Sequence, residues 1–217
     1  CSSDLVEVTH FVTGQKVLIS MAGPANKQGR IAADNICGGN SRYHGSQGSS
    51  VLKLFGLTAA FTGINEKIAR AAGIAYDKVV LFPASHATYY PGAQSMAMKV
   101  LYEKETLRLL GAQIVGCEGA DKRIDVLATA IRAGMTALEL TELDLAYAPP
   151  YSSAKDPANM AGFMIEDLES GKVRQFHWDE VDGLPRDGSA ALLDVRTAWE
   201  YQRGHLDGFR NIPLDDL

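Results

Sequence analysis

Between Met96 and Val115 the chain writes out two strands and the turn between them. Met96, Met98, Val100 and Tyr102 alternate with Ala97, Lys99, Leu101 and Glu103, the polar Lys104-Glu105-Thr106 comes next, and an apolar run resumes from Leu107 to Val115. A period of two puts alternate side chains on opposite faces of a pleated sheet, and a short polar break between two such runs predicts an antiparallel hairpin. An apolar sheet face needs a cover, and the next segment offers one. Ile124, Leu127, Ala128 and Ile131 recur at helical spacing, Gly134 stands where it would cap the C-terminus, and Thr136-Ala137-Leu138-Glu139 reads as a capping box opening another helix. Strands followed by helices predict an α+β domain.

The flanks extend the pattern. Val51 to Phe61 is rich in apolar residues, Asn65 is an N-cap candidate for a short helix ending at Gly73, and Lys78 to Ala84 is a strand candidate. Upstream, Asp4 to Ser20 is a set of short apolar pieces broken by Gly14. Ala25, Ile31, Ala32 and Ile36 then predict a helix packed by one face, stopped by Gly38-Gly39-Asn40. Downstream, Pro149-Pro150 and Asp156-Pro157 make Tyr147 to Pro157 an extended loop or linker, and Glu166 to Lys172 is polar. Ala190 to Val195 is a short buried-strand candidate, and Thr197-Ala198-Trp199-Glu200 is a second capping box whose helix Gly204 would end.

Composition narrows the function classes. With 217 residues, 46% hydrophobic and 22% charged, the chain has the make-up of a folded globular protein. Its net charge of −5, from 21 basic and 26 acidic residues, supplies no field for a nucleic-acid backbone or an anionic membrane. No apolar run approaches the ~20 residues of a bilayer span, and no basic-then-apolar leader opens the sequence. Cys1, Cys37 and Cys117 lie far apart without a CxxC, so neither a disulfide framework nor a metal site is expected, and the setting expected is cytoplasmic. Cys37 and Cys117 have apolar neighbours in sequence and are expected to behave as small hydrophobes.

Two blocks of residues carry family resemblances. Ala190 to Arg196, Glu200 to Gly208 and Asn211-Ile212-Pro213 resemble the first half of a rhodanese domain, with Phe209 in place of the family's usual small residue. The resemblance implies an α/β start. The rhodanese nucleophile lies in a C-x-x-G-x-R loop that the 217 residues do not contain, so Asp194, Arg196 and His205 are expected to be structural, as an ion pair and a hydrogen-bonded loop histidine.

The second block runs from about 20 to 163. It comprises Ala22 to Arg30, Gly48 to Phe55, Thr62-Gly63, Tyr89-Tyr90-Pro91-Gly92, Gly119 to Asp125 and Tyr147 to Pro157. It resembles the C-terminal dimerisation domain of the flavin-dependent pyridine-nucleotide disulfide oxidoreductases, in the subgroup of CoA-disulfide and persulfide reductases with a fused rhodanese.

The resemblance implies a split site. In that family FAD and NADH domains pass a hydride to a redox cysteine, and the dimerisation domain reaches across to the partner's cysteine with two tyrosines, which here fall on Tyr89 and Tyr147. Tyr90 and Tyr151 are the adjacent alternatives, and the nearby His86 reads as a structural hydrogen-bonding residue. Asp4 stands at the position that holds the flavin ribityl chain, with Ser3 where the family has Gly, and Met21, Ala22 and Gly23 match the backbone beside the isoalloxazine. The expected layout is an FAD-domain tail at 1–40, the α+β dimerisation domain at 41–168 and a truncated rhodanese start at 169–217. The chain is then expected to be a homodimer that binds no flavin tightly and does not turn over alone. FAD and NADH belong to the complete enzyme, and CoA disulfide or persulfide is its small-molecule substrate. A stand-alone dimerisation or binding module and part of a sulfurtransferase are the other two readings.

Overall fold

A computed structural model describes residues 6–217. Asp4 therefore lies outside the described residues. The chain divides into two units, Cys1–Val173 and Arg174–Leu217.

The first unit is built on a five-stranded antiparallel sheet. After a small ribbon of β1 (Glu7–Thr9) and β2 (Lys16–Leu18) and the helix α1 (Ala22–Ile36) come β3 (Ser50–Leu54), β4 (Leu57–Gly63), the short helix α2 (Glu66–Ala71) and β5 (Tyr76–Leu81). The predicted hairpin comes next as β6 (Met96–Glu103) and β7 (Leu109–Gly116), then α3 (Ala120–Ala133) and α4 (Pro157–Glu169). The order across the sheet is β3-β4-β7-β6-β5, with every neighbouring pair antiparallel. Met96, Met98, Val100 and Tyr102 are all buried, so the alternation read from the sequence does select the core face. That face meets Ile124, Leu127 and Ile131 of α3 and Ala158, Ala161 and Ile165 of α4.

On the opposite face α2 covers one end, where Ala69 joins Ile64, Leu101 and Leu110 in a smaller cluster. Gly111 makes this approach possible. A Cβ there would lie 1.9 Å from the Ile64 carbonyl oxygen, closer than any side chain tolerates. The rest of this face stays open, with Phe61, Val80 and Val115 exposed, and the edge strand β3 adds exposed Val51, Leu52 and Leu54.

Several local expectations need correction. The helix α1 exists, but none of its residues is buried and Ile36 is 86% exposed. Thr136 and Glu139 do exchange the bonds of a capping box, the Thr136 N–H donating to Glu139 Oε2 at 2.7 Å. The box opens only the 3₁₀ turn Leu138–Glu142, not a full helix. The Leu140 and Leu143 carbonyls, which a continuing helix would use, accept from Asn159 Nδ2 at 2.8 and 3.0 Å. Asp156-Pro157 opens a helix rather than excluding one, because proline at the first helical position lacks only an N–H that would have no partner there, and Asp156 Oδ1 accepts from the Ala158 N–H. Cys37 and Cys117 are exposed, not buried among apolar groups.

Glu66 sits beneath three cations. Its carboxylate accepts from Lys78 Nζ at 2.7 Å, Lys99 Nζ at 2.9 Å and Arg70 Nη2 at 3.2 Å. Burial alone would raise its pKa, but the hydrogen bonds and charges of Lys78 and Lys99 outweigh that and lower it from 4.5 to about 2. A carboxylate depressed on folding stabilises the fold above its unfolded pKa and loses that contribution as pH falls toward the folded value. After discounting for solvent screening, Glu66→Gln should cost about 1–3 kcal/mol at pH 7, and the difference from wild type should close between roughly pH 4.5 and 2. Urea unfolding of both proteins across that range checks this, and a difference independent of pH would contradict it.

The second unit holds the 3₁₀ turn Trp178–Gly183, the two-residue parallel strands β8 (Leu193–Asp194) and β9 (Arg210–Asn211), and α5 (Ala198–Gln202) between them. Thr197 and Glu200 form the predicted capping box. The strand is shorter and less buried than the apolar run Ala190 to Val195 suggested, with Leu193 and Val195 both exposed. Among the described residues, no helix is long and apolar enough to cross a membrane, and no group of three metal-ligating side chains forms.

Candidate functional site

Tyr89 and Tyr147 lie 58 positions apart, and the fold brings their hydroxyl oxygens to 2.6 Å. Both rings are exposed, Tyr89 at 74% and Tyr147 at 46%, so the pair faces outward from its own chain. The hydrogen bond to Tyr89 raises the Tyr147 pKa above its ordinary 10, so this phenol stays protonated at neutral pH. A phenol is donor and acceptor at once. Whichever oxygen accepts the shared proton, its own O–H remains free to donate outward, and the internal bond polarises it further.

Each tyrosine is carried on a loop with an identifiable anchor. The Tyr90 N–H donates to the Ala87 carbonyl at 3.0 Å, closing the turn that holds Tyr89. The Tyr151 and Ser152 N–H groups both donate to the Ala148 carbonyl, closing the turn just after Tyr147. The two loops are joined where the Ala87 N–H donates to the Ser152 carbonyl at 3.0 Å. Of the adjacent alternatives, Tyr151 is 72% exposed, and Tyr90 packs edge-on against His86 with centroids 5.7 Å apart. His86 is buried, with Nδ1 3.1 Å from the Ala87 carbonyl oxygen, as a structural histidine would be.

Beneath the loops lies a buried ionic cluster whose partners are too far apart in sequence to be paired by spacing. Arg123, on the first turn of α3, is 1% exposed, and its Nε donates to Asp156 Oδ2 at 3.2 Å while Nη2 donates to Ser152 Oγ at 3.1 Å. Ser152 Oγ donates in turn to Asp156 Oδ2 at 2.7 Å, and Nη2 also reaches the Tyr151 carbonyl at 3.4 Å. No buried side-chain nitrogen or oxygen among the described residues lacks a partner. Gly119, at φ +76°, caps α3 where a Cβ would fall 2.3 Å from Arg123 Nη1. The Gly119-to-Asp125 block is therefore a structural unit under the tyrosines.

Met21, Ala22 and Gly23 form the N-terminus of α1. Met21 is the extended N-cap, no side chain caps the helix, and the first turn holds no acidic residue. Helix-initial amide groups of this kind suit a polar or anionic ligand edge. Met21 and Gly23 also border a cleft of about 920 Å³ between α1, residues 42–49 and α3, lined by Lys27, Arg30, Arg42 and Arg132 with Asp125 as the one carboxylate. Sequence reasoning missed this cleft, since an acidic chain gives no hint that four cations converge.

In the second unit Arg196 donates to the Asp194 carboxylate through three side-chain bonds, at 2.6, 2.9 and 3.1 Å. Arg196 also donates to the Gly204 carbonyl. His205 stacks on Tyr201 at 3.8 Å between centroids. All three groups named from the sequence are engaged in holding local structure.

Residues 50–158 match the pyridine nucleotide-disulphide oxidoreductase dimerisation domain. A coenzyme A disulfide reductase of Staphylococcus haemolyticus is 36% identical over 166 residues, which are 76% of this chain and 37% of that protein. The crystal structure of reduced Bacillus anthracis CoADR-RHD superposes with a TM-score of 0.91 at 46% identity, covering 98% of this chain and 38% of that one. An NAD-dependent persulfide reductase from A. fulgidus gives a TM-score of 0.89 at 39% identity, covering 97% and 38%. The chain thus spans somewhat over a third of the length of these relatives.

Proposed function

The chain belongs to the pyridine nucleotide-disulphide oxidoreductase family, and on that premise we propose that it is the C-terminal portion of an FAD- and NADH-dependent reductase of CoA disulfide or CoA persulfide. In this reading residues 41–168 pair with a second copy, 1–40 are the tail of the FAD domain, and 169–217 begin a rhodanese domain. Tyr89 and Tyr147 serve the partner's active site. The observation that carries the reading is the tyrosine pair: two phenols hydrogen-bonded to each other at 2.6 Å on exposed loops whose anchors are buried.

The chemistry of this chain's residues is proton donation and orientation. When a disulfide is cleaved, one sulfur leaves as a thiolate, and the free O–H of the pair can donate to that developing charge without being ionised at neutral pH. A phenol titrates at about 10 and so remains a donor at neutral pH, and the bond to Tyr89 raises Tyr147 further. Two exposed loops in one chain cannot exclude water from such a thiolate, so a second subunit packed against them is part of the site.

FAD, when bound, would take the hydride of NADH and pass its two electrons to the redox cysteine in its disulfide form, releasing a thiolate. The uncapped N-terminus of α1 fits one edge of such a group, with Met21, Ala22 and Gly23 as its wall, and Asp4 is proposed to hold the ribityl chain. The four cations of the α1–α3 cleft suit the phosphates of a CoA nucleotide.

Self-association is supported by the open sheet face and the apolar edge strand β3, since a stretch of exposed Val, Leu and Phe side chains of this size favours burial. Light scattering of the purified chain at tens of micromolar should give about twice the monomer mass of 23.4 kDa. A monomer at that concentration would remove the basis for a site completed in trans.

A further inference from the structure

Nothing in the chemistry of disulfide reduction calls for a fully buried arginine, yet Arg123, Asp156 and Ser152 are among the most enclosed polar residues described. The cluster reaches both tyrosine loops through the main chain of Ser152. From Ser152 one hydrogen bond runs back to Ala148, next to Tyr147, and another to Ala87, which closes the turn holding Tyr89. We propose that the Arg123–Asp156–Ser152 cluster is the positioning device of the tyrosine pair, fixing through one residue the relative placement of two loops that no regular element connects. The proposal rests on the reading of Tyr89 and Tyr147 as site residues, and it assigns the cluster no contact with substrate.

The geometry requires this kind of anchor. A hydrogen bond of 2.6 Å between two side chains, each on its own exposed loop, persists only if the loops keep their spacing to a few tenths of an ångström. The Ala87 to Ser152 bond sets that spacing, and the Ser152 side chain is held by two partners, Asp156 Oδ2 at 2.7 Å and Arg123 Nη2 at 3.1 Å. Asp156 is in turn fixed as the N-cap of α4, and Arg123 by α3. The tyrosines are thereby referred to the two helices that cover the sheet.

Ser152→Ala is the decisive variant. It removes one hydroxyl and leaves the direct Arg123–Asp156 pair at 3.1 Å, so the domain should still fold with a cooperative thermal transition. The readout is the titration of the Tyr147 phenol, followed by NMR of tyrosines labelled at the ring carbon that bears oxygen and assigned with Tyr147→Phe. In the wild-type chain Tyr147 should titrate above an ordinary tyrosine; in Ser152→Ala that elevation should be lost, and in Ser152→Thr, which keeps a hydroxyl, it should return. Arg123→Lys, which keeps the charge but not the fork, should also lose it. In the intact reductase Ser152→Ala should slow the disulfide step about three- to thirtyfold, with NADH-driven flavin reduction unchanged. An unaltered Tyr147 titration in folded Ser152→Ala or folded Arg123→Lys overturns the proposal. Loss of the elevation with undiminished disulfide turnover upholds the positioning and rejects the chemical role of the tyrosines.

Discussion

Replacing Tyr89 and Tyr147 together by Phe in the intact reductase should slow disulfide reduction by about thirty- to a thousandfold. That range corresponds to roughly 2–4 kcal/mol for one hydrogen bond to a charge that develops only in the transition state. Phe keeps each ring and removes only oxygen, and both rings are exposed, so folding and dimerisation should be nearly unaffected. Because the hydroxyls are bonded to each other, the double variant should be little worse than the more damaged single variant, as for residues that act as a unit. Stopped-flow flavin reduction provides the internal control, since the proposed function gives these phenols no part in hydride delivery from NADH, and that step should keep its wild-type rate. Wild-type rates for both steps in the double variant would leave the tyrosines a packing role only.

The second large effect is on stability. Arg123→Ala leaves Asp156 buried at 2% exposure without its main counter-charge, the condition under which breaking a buried pair costs about 3–5 kcal/mol. The nearest remaining cation, Lys122 Nζ, stands 3.9 Å from Asp156 Oδ2 and is partly solvated, so it offsets little of this. A loss of that size is a large fraction of a domain's stability. Chemical unfolding should show the midpoint falling steeply, while the joint replacement Arg123→Met with Asp156→Leu should recover much of the loss because no charge is then stranded. A cost below about 1 kcal/mol for Arg123→Ala would mean that water reaches Asp156 and that the cluster is not a rigid base for the tyrosine loops.

The sequence announced those parts of the fold whose signals are local. Alternation from Met96 to Tyr102 marked both the strand and its buried face, and Gly134, at φ +74°, ended α3 as its position suggested. Asn65 capped α2 through the Ile68 N–H. Where expectation and fold part, a distant residue decided the outcome. Thr136 and Glu139 made the bonds of a capping box, but Asn159, on a helix later in the chain, takes the carbonyls that would have extended the turn. That helix is hidden in the sequence because Asp-Pro reads as a break when its upstream neighbours are Pro149 and Pro150, although Asp at the N-cap with Pro after it is also a helix start.

The candidate site divides in the same way. Tyr89 and Tyr147 are singled out by a family resemblance, because nothing in local spacing links positions 58 apart. The buried partnership of Arg123, Ser152 and Asp156 and the convergence of Lys27, Arg30, Arg42 and Arg132 were invisible, since each depends on segments that meet only in the folded chain. Exposure of Cys117 stems from its place just beyond the end of β7, which neighbouring apolar residues in sequence could not reveal.

The central claim is that these tyrosines complete the active site of a second subunit, and a mixed dimer tests it most directly. One subunit carries Tyr89→Phe with Tyr147→Phe, the other has its redox cysteine replaced by serine, and each homodimer is inactive or nearly so in disulfide reduction. If the tyrosines act across the interface, the isolated heterodimer has one site with an intact cysteine facing intact tyrosines and should recover about half of the wild-type turnover. If they act within their own subunit, neither site is complete, and a heterodimer as inactive as its parents contradicts the account.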